Sequence, residues 1–248
     1  MMEVLERGDV FFFYRPRMDV DEVRGAGDIA RLMVVLDPDG RGPARLLVVG
    51  RKHLPDPGRH ERTWAFVDAV AERPDGLRDA LLPRTYETRT RGVRVRPAAR
   101  PAGEGRYVVA VHERHSHLAY GLELPAEPGE AQHLLNVRRE GSFIVAVRNP
   151  DAPAPSGTGL PRRRRPQLPA EVRERFGDRR WHALDDPGLL NHPGVELVLI
   201  GARDDVESEL GVALDLETEE LATAELFTEL RLRRGDVPED ALVRGRLR

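Results

Sequence analysis

The fold turns on three stretches, VFFFYR (Val10–Arg15), LMVVL (Leu32–Leu36) and ARLLVVG (Ala44–Gly50). Each is a short run of β-branched, aliphatic and aromatic residues bounded by Pro, Gly or Asp, which is the pattern of a buried strand between turns. Asp37-Pro38-Asp39-Gly40 lies between the last two runs and joins them as a hairpin. Downstream, His60–Arg73 spaces Trp64, Val67 and Ala71 on one face, with Phe66 and Val70 beside them, and ends at Pro74. That spacing predicts an amphipathic helix laid on the sheet.

Strands return at RYVVAVH (Arg106–His112) and HLAYGLEL (His117–Leu124). Paired as a hairpin with His112 opposite His117, they place Tyr107, Val109 and Val111 on one face with Leu118, Tyr120, Leu122 and Leu124. A short helix is expected at Glu130–Val137, strands at Ser142–Val147 and Val195–Ile200, and a helix at Ala170–Phe176 stopped by Gly177. Between Pro150 and Pro169 six prolines and the run Arg162–Arg165 interrupt all apolar periodicity. The expected fold is therefore α+β, mainly antiparallel sheet with a few packed helices. Residues 1–150 form a strand-rich α+β domain, 151–169 a Pro- and Arg-rich loop or linker, and 170–248 a smaller α/β part with an acidic stretch, packed on the first.

The 248 residues include no cysteine, which excludes disulfides, thiolate nucleophiles and thiolate zinc sites. Glu3, Glu6 and Asp9 stand where a signal peptide needs a positive start, and the apolar runs are only strand-length. A soluble, cytoplasmic protein with no membrane association is expected. The formal charge of −3 conceals a segregation: Arg84–Arg106 holds seven arginines against Glu87 and Glu104, whereas Asp204–Leu230 holds ten acidic residues and no Lys or Arg. The two stretches either face outside partners or neutralise each other. Lys52 is the only lysine, so mechanisms that need a lysine have one candidate.

Two constellations can carry chemistry. His112, His115 and His117, with Glu113, cluster at the hairpin tip, where imidazoles a few ångströms apart can ligate a divalent metal; a polar, solvated tip is the other reading. Arg89, Arg91, Arg94 and Arg96 alternate along an extended segment and would present guanidinium groups to nucleic acid or another anionic partner. A solvated strand face is the plainer account of that segment. The basic run Arg162–Arg165 can bind phosphate or simply solubilise a loop.

Other signatures fail. Gly25-Ala26-Gly27 has charged residues before it, where a dinucleotide-binding fold needs a strand. Ser116, Ser142, Ser156 and Ser208 sit in no nucleophile elbow. Asp185-Asp186 and Asp204-Asp205 are adjacent pairs that do not converge as acid and base.

Taken together, Phe12-Phe13-Tyr14-Arg15-Pro16, Gly50-Arg51-Lys52-His53-Leu54-Pro55-Asp56, Thr85–Gly92, Ala99–Gly105 and His115-Ser116-His117-Leu118-Ala119-Tyr120 resemble a family of bacterial and fungal proteins. Its fungal members often carry the label "BTB domain transcription factor". The similarity spans most of the chain and implies no established activity. A non-catalytic binding or regulatory protein is the expected function. The alternative is a metal- or histidine-dependent hydrolase with its site at the 112–117 hairpin.

Overall fold

The computed structural model describes residues 2–40, 42–88, 90, 92–112, 115–153, 160, 164, 166–217, 220–235 and 237–247. Among them run eleven strands: β1 (Met2–Pro16), β2 (Ile29–Pro38), β3 (Ala44–Val49), β4 (Arg62–Ala71), β5 (Arg84–Thr88), β6 (Gly92–Arg96), β7 (Arg100–His112), β8 (His115–Leu124), β9 (Glu140–Arg148), β10 (Trp181–Ala183) and β11 (Glu196–Gly201). The helices are α1 (Arg78–Leu81), α2 (Glu130–Leu135), α3 (Ala170–Glu174), α4 (Val206–Leu210), α5 (Glu225–Glu229) and α6 (Asp240–Arg244).

Eight strands pair in the order β9-β11-β4-β3-β2-β1-β7-β8, and β8 pairs back onto β9, so the antiparallel sheet closes on itself. Strand β10 extends the β8 side of β9 beyond the point where β8 begins. The α+β expectation is thereby corrected to a mainly β closed barrel, whose helices are single or double turns packed outside or across its ends. Closure rests on β11–β4, β11–β9 and β8–β9, and β11 reaches both its neighbours across long stretches of chain that leave no local signal. Strand β11, from the far side of the Pro- and Arg-rich stretch, is one stave of that barrel.

Alternate residues of each strand point inward. Val10, Phe12, Leu32, Val34, Leu47, Val49, Ala65, Val67, Tyr107, Val109, Leu118 and Tyr120 belong to one buried cluster with Phe143, Val145, Leu197 and Leu199. Their packing leaves a cavity of only about 20 Å³ inside the barrel, room for no more than one water. Phe11, Phe13, Met33, Val35, Leu46 and Val48 point outward, under Leu77, Leu81, Leu226, Phe227 and Leu230. Strands buried on both faces read as unbroken apolar runs rather than alternation, which is why VFFFYR carries no polar residue before Arg15.

The same two-sided burial explains a second correction. Residues 62–71 are strand β4 and not a helix, with Thr63, Ala65 and Val67 buried and Trp64, Phe66 and Asp68 on the outer face. Apolar residues on both faces of a strand imitate helical spacing when they fall at intervals of three, four and seven. In the β7–β8 hairpin, His112 opposes His115 and Ala110 opposes His117. The two-residue shift from the expected pairing preserves the faces, so Tyr107, Val109, Leu118, Tyr120 and Leu122 still share the interior. Leu124 does not, because the bulge at Glu104/Gly105 turns it into the outer cluster.

Gly8 and Gly105 mark where strands come too close for a side chain. A Cβ there would lie 2.0 Å from the carbonyl oxygens of Asp37 and Gly121, respectively. At one end of the barrel Arg45 donates to both carboxylate oxygens of Glu6, at 2.5 and 3.0 Å, and from Nε to Asn191 at 2.7 Å. The Tyr107 hydroxyl donates to Glu6 at 2.8 Å, and a turn of 3-10 helix, Pro187–Asn191, covers the group.

The acidic stretch does not stand apart. Val206, Leu210, Val212 and Leu214 cover Val108, Ala110 and Ala119 on the outer wall. Asp204 pairs with Arg138 and Asp215 with Arg7. No helix among the described residues is long and apolar enough to cross a membrane.

Candidate anion-binding site

Two arginine pairs stand directly opposite each other across strands: Arg15 with Arg31 on β1–β2, and Arg84 with Arg96 on β5–β6. Like charges directly opposite are destabilising. Arg15 follows Phe11 and Phe13 on the outer face of β1, and the β5–β6 hairpin is a separate two-stranded sheet laid near it. Its base is pinned through Leu81, whose carbonyl oxygen accepts from Ala99 N at 2.7 Å and from Arg15 Nη2 at 3.4 Å. Arg15 Nη2 also donates to Ala80 O at 2.5 Å.

These bonds leave much of the guanidinium surface unused. Arg15 is 3% exposed, yet its Nε and that of Arg96 are buried without a hydrogen-bond partner. Burial, then the nearby charges of Arg96 and Arg31, holds Arg15 down to about 10. Arg96 is lowered for the same reasons, burial first and Arg84 next. Both remain protonated at neutral pH. The acid that faces this group is Asp68 on the outer face of β4. It is engaged by Arg164, which donates to it at 2.5 Å while its guanidinium lies 4.9 Å from the centroid of the Phe66 ring.

Several guanidinium groups thus converge on one carboxylate. Planar forks with free donors match phosphate oxygens, and a multiply charged anion placed among them would supply the missing acceptors and relieve the repulsion. Arginine is a poor proton donor or acceptor at neutral pH, so the arrangement binds and polarises rather than transferring protons.

Of the arginines singled out from sequence, Arg96 belongs to this group. Arg94 shares the hairpin face with Tyr86 but is tied to Asp19 at 2.6 Å. Arg89 and Arg91 lie outside the described residues. Arg164 comes from the basic run noted in sequence. Arg15, Arg31 and Arg84 were missed as a group; the available signal was an arginine continuing the outward register of Phe11 and Phe13 in an otherwise apolar strand.

His112, His115 and His117 share the outer face of the β7–β8 hairpin. The rings of His112 and His117 stand 6.5 Å apart, edge to face. His117 is buried against Ser142, with Nδ1 3.2 Å from Oγ, and burial followed by His112 and His115 lowers it to about 4. It is neutral at physiological pH. Among the described residues no group of three or more His, Asp or Glu is placed to hold a metal ion.

Compared with known proteins, the chain matches no family model, no curated protein and no solved structure.

Proposed function

We propose that the protein is a non-catalytic binding protein that takes a phosphate-bearing anion on its outer wall, through Arg15, Arg31, Arg84 and Arg96. The observation that carries this reading is the pairing of arginine with arginine at two cross-strand positions, with buried Nε groups left unpartnered. A native fold retains such repulsion where a ligand offsets it, and a filled barrel interior directs binding to the outside. Calorimetric titration with inorganic pyrophosphate at low salt tests the proposal. Binding is expected, weakening as salt rises, with the double variant Arg31→Ala/Arg84→Ala at least about tenfold weaker, since each charged hydrogen bond contributes roughly 1.5–3 kcal/mol. No heat at low salt, or unchanged affinity in the double variant, would refute it.

A further inference from the structure

The outer face of β4 reads Arg62, Trp64, Phe66, Asp68. Asp68 and Phe66 meet Arg164 at the arginine cluster. About 7 Å from Phe66 along the strand, at some 3.3 Å per residue, Trp64 lies in a groove of about 550 Å³ with Trp181 of β10. The two indoles are 5.0 Å apart between ring centroids and inclined at 55°. Neither is buried. Arg62, Arg180 and His115 stand around them, and no acidic residue lines the groove among the described residues. Glu196, on the same outer face, is buried and held by Arg148 and by the Leu160 amide at 2.7 Å. One side of the barrel therefore offers aromatic faces with cationic neighbours, on the same outer face of β4 that meets the anion site at Asp68.

We infer that this wall is a track for single-stranded nucleic acid, with bases stacking on Trp64 and Trp181 and the phosphate backbone running past Phe66 to the arginine cluster. The inference rests on the anion-binding reading above and adds the identity of the ligand. Charge complementarity selects a polyanion, and half-buried indoles lining an open groove beside arginines select one that carries flat rings; unpaired bases supply both, whereas a duplex hides its ring faces.

The chain's two tryptophans are both in this groove, so tryptophan fluorescence reports on it alone. Titration of the full-length protein with a short oligothymidylate is expected to quench that fluorescence. Anisotropy of the labelled oligonucleotide is expected to show affinity about 5- to 100-fold weaker in Trp64→Ala and in Trp181→Ala, with inorganic polyphosphate bound as in the wild type. Circular dichroism checks the fold, and the rim variant Arg62→Glu/Arg180→Glu, which leaves both rings in place, is expected to weaken oligonucleotide binding in parallel. Oligonucleotide binding without quenching and indifferent to all these variants would overturn the stacking track while leaving the anion site intact. So would binding of polyphosphate but not of oligothymidylate, or a tryptophan blue shift with anionic vesicles in place of quenching by oligonucleotide. Failure of both polyphosphate and oligonucleotide to bind at low salt would remove the anion site itself.

Discussion

Arg45 and Arg15 are buried almost equally, at 2% and 3% exposure, and their surroundings are opposite. Arg45 has a carboxylate across both Nη atoms and an amide oxygen on Nε. Arg15 has two backbone carbonyls, an unpartnered Nε and, across the strand, another arginine. The first arrangement is complete within the chain; the second leaves a buried donor unused. A saturated buried ion pair belongs to the architecture; on the proposed function, an unsaturated cluster of one sign is where architecture gives way to binding.

The sharpest way to break this contrast is to make Arg45 resemble Arg15. Glu6→Ala strands the Arg45 guanidinium and the Tyr107 hydroxyl without their acceptor, and urea denaturation is expected to show a loss of about 3–5 kcal/mol, the cost of an uncompensated buried charge. Arg15→Met removes a charge whose facing carboxylate, Asp68, is already engaged by Arg164. Its expected cost is about 1 kcal/mol, for the lost bonds to Ala80 and Leu81, partly offset by relief of the repulsion from Arg31. Pyrophosphate should raise the melting temperature of the wild type but not that of Arg15→Met. Equal losses in the two variants would erase the distinction.

The smallest expected effect concerns crowding of the opposite sign. Asp37 is raised to about 6 by burial, then by Asp9, Glu229 and Asp39. Its unfolded value is near 3.8, so the folded state holds the proton more tightly. Its contribution to stability is full below about pH 3.8 and is lost as pH rises through 6. Asp37→Asn, which imitates the protonated form, is therefore expected to raise the melting temperature at pH 7 and leave it unchanged at pH 3.5. A larger gain at the lower pH would contradict the assignment.

The individual staves were legible in the sequence, because VFFFYR, LMVVL, RYVVAVH and VELVLI are each too short and too branched for helices. The outer cover was less legible, since Leu226, Phe227 and Leu230 pack into the core from within a stretch read for its acidic charge. Closure was not, because it depends on β11 finding β4 across more than a hundred residues. Nor was β4, whose outward Trp64 and Phe66 erased the alternation that identifies a strand. The arginine cluster stayed hidden as well. Arg15, Arg31, Arg84 and Arg96 become neighbours only through register, and one-dimensional charge density pointed instead to the Arg89–Arg96 segment.

The position of β11 has a temporal side. A chain emerging from a ribosome exposes β4 and β9 as unpaired edges until Gly201 has been made, and unpaired edges invite pairing with other chains. The first 195 residues are in that sense an open sheet waiting for its last stave, with the Pro- and Arg-rich stretch at 150–169 spanning part of the wait. Six prolines and four consecutive arginines make poor strands, so the segment that emerges while those edges stand open is one that cannot add itself to either.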